Sequence, residues 1–189
     1  LFVLLLAACN SDSAQQDTPT NNTSPISVEQ ANTIATDVIN NIWDTLATGE
    51  SIEVNKSTLT ENEASFLPYM TKELFVRVVE SIDQEDCIVN CILAFPEQIY
   101  NVLDVQLIEN TANSFTIEHT LPAIFEDEQA KKQTTTFIKQ DERYIISDFK
   151  TEATTVSVTK EQAEELLTTL GFDVLFVEEG PFEASNTTL

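Results

Sequence analysis

The hydrophobic period of this chain changes from helical to two between Ile82 and Tyr100, and that change constrains the fold more than any other feature. Ahead of it, Val28, Ala31, Ile34, Ala35, Val38, Ile39, Ile42, Trp43 and Leu46 recur at spacings of three and four. Such spacing lays an apolar stripe along one helix face. The preceding Ser27-Val28-Glu29-Gln30 has the form of a capping box, in which a hydroxyl and a glutamine three residues on satisfy each other's backbone N–H groups. A long amphipathic helix ending near Thr48-Gly49 is expected. A second helical region takes Thr60-Glu61-Asn62-Glu63 as its cap, breaks at Pro68, and restarts at Thr71 with Leu74, Phe75, Val78, Val79 and Ile82 on one face.

After Pro96 the period is two. Residues 100–108, 114–121, 134–139 and 143–149 read as strands, the second alternating Phe115, Ile117, His119 and Leu121. Lys139-Gln140-Asp141-Glu142-Arg143 reads as a hairpin turn, although without the Asn-Gly or Asp-Gly pair that marks the tightest ones. No helical segment separates these strands, so an antiparallel meander is expected rather than a parallel sheet. The C-terminal part adds a helix and a strand: Thr159-Lys160-Glu161-Gln162 is another capping box, Ala163, Leu166, Leu167 and Leu170 follow, Gly171 stands at the C′ position, and residues 172–177 read as extended. The fold class is therefore α+β, with N-terminal helices packed on a curved antiparallel sheet and a C-terminal helix-strand addition that completes the sheet or crosses its mouth.

Hydrophobic residues make up 42% of the chain and include eleven phenylalanines, enough for one core of ordinary size. The formal net charge is −23, from 32 acidic and 9 basic residues. Nucleic acid and anionic lipid head groups are poor partners for such a surface. The acidity reads as a solvated shell that keeps a protein soluble or, alternatively, as a face for a basic partner.

The first nine residues, Leu1-Phe2-Val3-Leu4-Leu5-Leu6-Ala7-Ala8-Cys9, form an apolar run closed by small residues and a cysteine. Leu6-Ala7-Ala8-Cys9 resembles the lipobox of bacterial lipoproteins. That resemblance implies diacylglycerol on the Cys9 thiol, removal of residues 1–8 as a signal-peptide remnant, and acylation of the new amino terminus. A secretory peptide carries a charged segment ahead of its apolar run, and the given sequence opens at Leu1 without one, so a truncated start is expected. Eight apolar residues fall well short of the ~20 a membrane-spanning helix needs. Attachment would come from the acyl chains, each buried methylene contributing about 0.8 kcal/mol. Asn10 stands where family members retained at the inner membrane of Gram-negative cells carry aspartate, so the resemblance implies an outer-membrane lipoprotein facing the periplasm. Residues 9–26, rich in Asn, Ser, Thr, Gln and Pro, cannot bury enough apolar surface to offset their ordering entropy. They read as a tether with an end-to-end distance of about 24 Å.

With Cys9 set aside, Cys87 and Cys91 remain as an even pair in an exported protein, which reads as a disulfide. So short a loop contributes only about 2 kcal/mol in the chain-entropy picture. Free thiols are the main alternative. A thioredoxin-like motif spaces its cysteines by two residues, and a structural zinc needs four ligands that the single His119 does not complete.

The Ser27 helix, the Pro68-Tyr69-Met70-Thr71 break and the closing strand Arg143-Tyr144-Ile145-Ile146-Ser147-Asp148-Phe149 together resemble the α+β cone of the ketosteroid-isomerase and nuclear-transport-factor superfamily. The resemblance spans residues 27–150 and implies a concave sheet with a cavity in which enzymes of that family place an aspartate, histidine or tyrosine. No such set maps onto this chain residue by residue, and the superfamily also contains binding modules, so fold alone does not decide activity.

Motifs of catalysis are missing. With three glycines in all, the chain has no nucleophile elbow, no phosphate-binding loop and no His-Glu-x-x-His helix. Asp83-Glu85-Asp86 and Glu126-Asp127-Glu128 lack the glycine and spacing of a calcium loop and read as solvated turns. His119 reads as a structural histidine on a strand. We therefore expect no cofactor, no metal, and no catalytic residue, with catalysis left open but disfavoured. The expected product is a single α+β domain over 27–189, made of a cone-like core (27–150) and a C-terminal addition (151–189), that binds a protein partner or an envelope ligand. An immunity or inhibitor protein capping a basic toxin or enzyme is the alternative within binding, and a cone-fold hydrolase or isomerase the alternative outside it.

Overall fold

The computed structural model describes residues 25–47, 55–82, 94–123 and 129–171. Helix α1 (Val28–Ala47) starts at the capping box: the Ser27 N–H donates to Gln30 Oε1 at 2.9 Å, and the Gln30 N–H to Ser27 Oγ at 3.1 Å. Its stripe of Ala31, Ala35, Ile39 and Ile42 is buried. Helix α2 (Lys56–Glu61) begins earlier than Thr60. Asn55 is the cap: its Oδ1 accepts from the Thr58 N–H at 3.0 Å, while the Asn55 N–H donates to Thr58 Oγ1 at 3.2 Å. Thr60 lies in the last turn instead, its hydroxyl donating to the Lys56 carbonyl at 2.6 Å. After the short α3 (Glu63–Phe66) the chain turns through Pro68, and Thr71 caps α4 (Lys72–Ser81) by accepting from the Leu74 N–H at 3.2 Å. Leu74, Phe75, Val78, Val79 and Ile82 are all buried, as their spacing predicts.

Four strands follow in a purely antiparallel sheet of order β1-β2-β3-β4: β1 (Val105–Asn110), β2 (Ser114–Leu121), β3 (Lys131–Gln140) and β4 (Arg143–Ala153). The first strand expected from sequence starts five residues late. Residues 100–103 form a turn, closed by the Leu103 N–H on the Tyr100 carbonyl at 3.0 Å, and Leu103 is buried there. Its apolar spacing belonged to a packed turn, which period alone does not separate from a strand. The β3–β4 hairpin closes on two residues, Asp141 and Glu142, with φ of 48° and 64°. Both are left-handed, the combination whose twist matches that of the flanking strands. Glycine does this without steric cost; here Lys139 pairs with Glu142 at 2.8 Å beside the turn.

The helices cover one face of the sheet. A single apolar cluster takes residues from α1 to α4, from β2 to β4, and Phe95 and Ile99 from the segment leading into β1. Phe115 stacks on Phe137 at 4.6 Å with Tyr144 edge-on at 5.0 Å, and Phe66 lies against Phe75 and Phe95 at 5.5 and 5.6 Å. Aromatic pairs of this kind contribute about 0.5–1.5 kcal/mol beyond the area they bury. A parallel bridge ties the helical layer to the β4 edge: the Thr71 N–H donates to the Ile146 carbonyl at 2.9 Å and the Ile146 N–H to the Tyr69 carbonyl at 2.8 Å. Helix α5 (Lys160–Thr169) closes the described chain with the expected Thr159/Gln162 box and with Gly171 at φ +82°. The architecture is α+β, with a helix after the strands. Of the expected C-terminal addition, the extended run 172–177 lies outside the described residues.

Candidate functional site

The inner face of the sheet divides along its length. Directly opposed residues of an antiparallel pair share a face, so the register Phe115↔Phe137, Ile117↔Thr135, His119↔Gln133 and Leu121↔Lys131 runs from an aromatic end to a polar one. Thr135 and Gln133 are 0% exposed and His119 is 1% exposed.

Residues 94–104 form a strap over this polar end. Gln133 holds it from below: its Oε1 accepts from the Glu97 N–H at 3.0 Å, and its Nε2 donates to Thr135 Oγ1 at 3.2 Å and to the Glu97 carbonyl at 3.4 Å. Lys131 pairs with the Glu97 carboxylate at 3.2 Å. Trp43 Nε1 donates to the Pro96 carbonyl at 2.8 Å, Asn32 Nδ2 to Asn101 Oδ1 at 2.9 Å, and Gln162 Nε2 to the Val102 carbonyl at 3.2 Å. The strap is thus fastened to α1, β3 and α5. Phe95, Ile99 and Leu103 are its buried apolar residues.

His119 is the exception in this network. Burial pushes its imidazole from the ordinary 6.5 down to about 4, opposed in part by the nearby backbone carbonyl of Glu97. By donor and acceptor geometry neither Nδ1 nor Nε2 has a hydrogen-bond partner among the described residues. The ring is neutral at pH 7. A neutral imidazole is a competent base where a substrate can reach it, but this one lies beneath the strap.

Elsewhere the described surface neutralises its own cations. Lys72 pairs with Glu63 at 3.1 Å, Lys132 with Glu118 at 2.9 Å, Lys150 with Glu152 at 3.1 Å, and Arg77 with Asp148, besides the Lys131 and Lys139 pairs already given. Six of the nine basic residues are therefore engaged with the chain's own carboxylates. Among the described residues no group of three or more His, Cys, Asp or Glu is placed to hold a metal ion, and no helix is long and apolar enough to cross a membrane.

The lipidation candidate Cys9 and the disulfide candidates Cys87 and Cys91 lie outside the described residues, as do Asp83-Glu85-Asp86 and Glu126-Asp127-Glu128. His119 was visible as the lone histidine of an alternating strand. Gln133, Thr135 and Glu97 were not singled out from sequence, although Gln133 and Thr135 share the odd-numbered face of β3 with buried Phe137, a parity that placed them indoors. No protein-family model matches the chain, and neither the curated proteins nor the solved structures contain a match to it.

Proposed function

We propose that this chain is an envelope lipoprotein, anchored through Cys9 in the outer membrane of a Gram-negative cell, whose α+β domain binds a protein or envelope ligand on the periplasmic side without catalysing a reaction. The observation that carries the anchor is Leu6-Ala7-Ala8-Cys9 followed by the polar tether 10–25. A disulfide between Cys87 and Cys91 and a single domain over 27–189 belong to the same reading. Binding is favoured over catalysis because His119, the one imidazole available, is buried under the strap. Expression of the chain behind a supplied signal-peptide start in a Gram-negative host, fed an alkyne-tagged palmitate, tests the anchor. Label should enter the wild type and be lost in Cys9→Ser; equal labelling of both would defeat the reading.

The immunity or inhibitor alternative rests on the charge of −23 with two thirds of the cations already paired internally. An acidic face of that kind suits a basic toxin or enzyme and would speed encounter with it. Capture of a basic protein from envelope extract should then weaken sharply between low and high salt. Salt-insensitive capture would return the reading to general binding.

A further inference from the structure

We propose that the strap 94–104 is an acid-sensitive latch: it is closed while His119 is neutral, and it opens from the polar end of the sheet when His119 takes up a proton. The geometry comes first. Gln133, the cross-strand neighbour of His119, grips both backbone groups of Glu97, so Glu97 sits above the His119/Gln133 pair. Among the described residues neither ring nitrogen of His119 has a hydrogen-bond partner, and the residue is 1% exposed, so an added proton would place a positive charge under the strap with no hydrogen-bonded counter-ion among them. Lifting the strap would bring that charge to water.

The surrounding charges do not cancel this effect. On the inner face, the ionisable groups near His119 are Glu97 on the strap and Lys131 on β3, and they already pair with each other. Glu118 and Lys132, next to the His119 and Gln133 positions on the outer face, pair likewise. On α1, Glu29, Asp37 and Asp44 are exposed; on the strap, Asp104 is exposed and Tyr100 half-buried; on α5, Glu164 is half-buried.

The sign follows from linkage. His119 binds its proton less readily closed, at about 4, than in water, at 6.5. The closed form is therefore fully favoured above pH 6.5 and loses that advantage as the pH falls toward 4. Between pH 7.5 and pH 5 the open fraction should rise about 25-fold.

Hydrogen exchange at single amides reads this directly, with rates corrected for the intrinsic pH dependence of exchange. The strap amides of Glu97, bonded to Gln133 Oε1, and Leu103, bonded to the Tyr100 carbonyl, should show opening that grows about 25-fold over that range, while Ile117 and Phe137 in the sheet do not follow. H119Q should remove the acid response, and E97Q, which removes the ion pair and leaves the imidazole, should keep it. Equal acceleration at strap and sheet amides, an unchanged response in H119Q, or its loss in E97Q would each overturn the latch. Should H119Q not fold, the wild type still decides: the chain has a single histidine, so its ring protons titrate unambiguously. A midpoint below 5 supports a closed latch over a neutral ring, and a midpoint near 6.5 overturns it.

Discussion

The two ends of the inner sheet face are built on the same strands, yet they are held by different forces. At one end Phe115, Phe137, Ile146 and Tyr144 pack as an aromatic and aliphatic block whose stabilisation scales with area and does not depend on pH. At the other, His119, Gln133 and Thr135 are equally buried, but Gln133 hydrogen-bonds the strap and Thr135, while His119 has no partner among the described residues. Apolar packing tolerates any solvent condition that leaves water cohesive. Buried polar groups are useful only while every partner is in place. One end is thus a fixed clamp, the other a conditional one.

The largest effect should come from the clamp. Phe137→Ala removes a ring that is 0% exposed and should lower stability by about 4 kcal/mol, measured by urea unfolding followed through the single Trp43. An effect below that of any polar-end change would erase the distinction between the ends. Next is the pH response. With His119 depressed to about 4 from 6.5, the wild type should lose stability as pH falls from 7 to 5, by about 2 kcal/mol. His119→Leu should flatten that slope. Gln133→Ala leaves the Glu97 N–H without its acceptor and should cost about 1.5 kcal/mol, with faster exchange confined to the strap. At pH 7.5 His119→Leu should be stabilising by about 1 kcal/mol, because it removes a buried polar group that has no partner among the described residues; a loss there would mean that the imidazole is bonded after all. Smallest of all is Lys131→Met, which breaks a part-exposed ion pair and should change stability by at most about 0.5 kcal/mol.

The helix starts at Ser27, Thr71 and Thr159 were legible because a cap is a local transaction between a residue and the one three positions on, written within four letters. Asn55 was not, since its partner Thr58 has neither the acid nor the amide by which a capping box is usually recognised. The β3–β4 hairpin was found by its flanking strands rather than by its turn, because Asp141 and Glu142 adopt left-handed backbone without the glycine that signals it. Residues 100–104 misled in the opposite direction: Leu103 carries a strand-like apolar spacing but is buried by a turn of the strap. Alternation in β2 put His119 on the face of Phe115 and Ile117, which was enough to bury it and too little to say what it would meet there.

What the sequence by itself determined is the class of fold and the order of its parts: helices first, an antiparallel meander after the change of period, a capped helix at the end. These are consequences of local periodicity and of contacts within a few residues. It also determined the net charge and the candidate address at Cys9, which are properties of composition and motif. The tertiary structure alone decided that Gln133 faces Glu97 across 36 residues, that the strap is fastened to α1, β3 and α5, and that His119 lies beneath it without a hydrogen bond to the described residues. Such relations depend on strand register and on how a nonperiodic segment crosses the sheet. Both are set by the packing of the whole core, and no short stretch of sequence carries them.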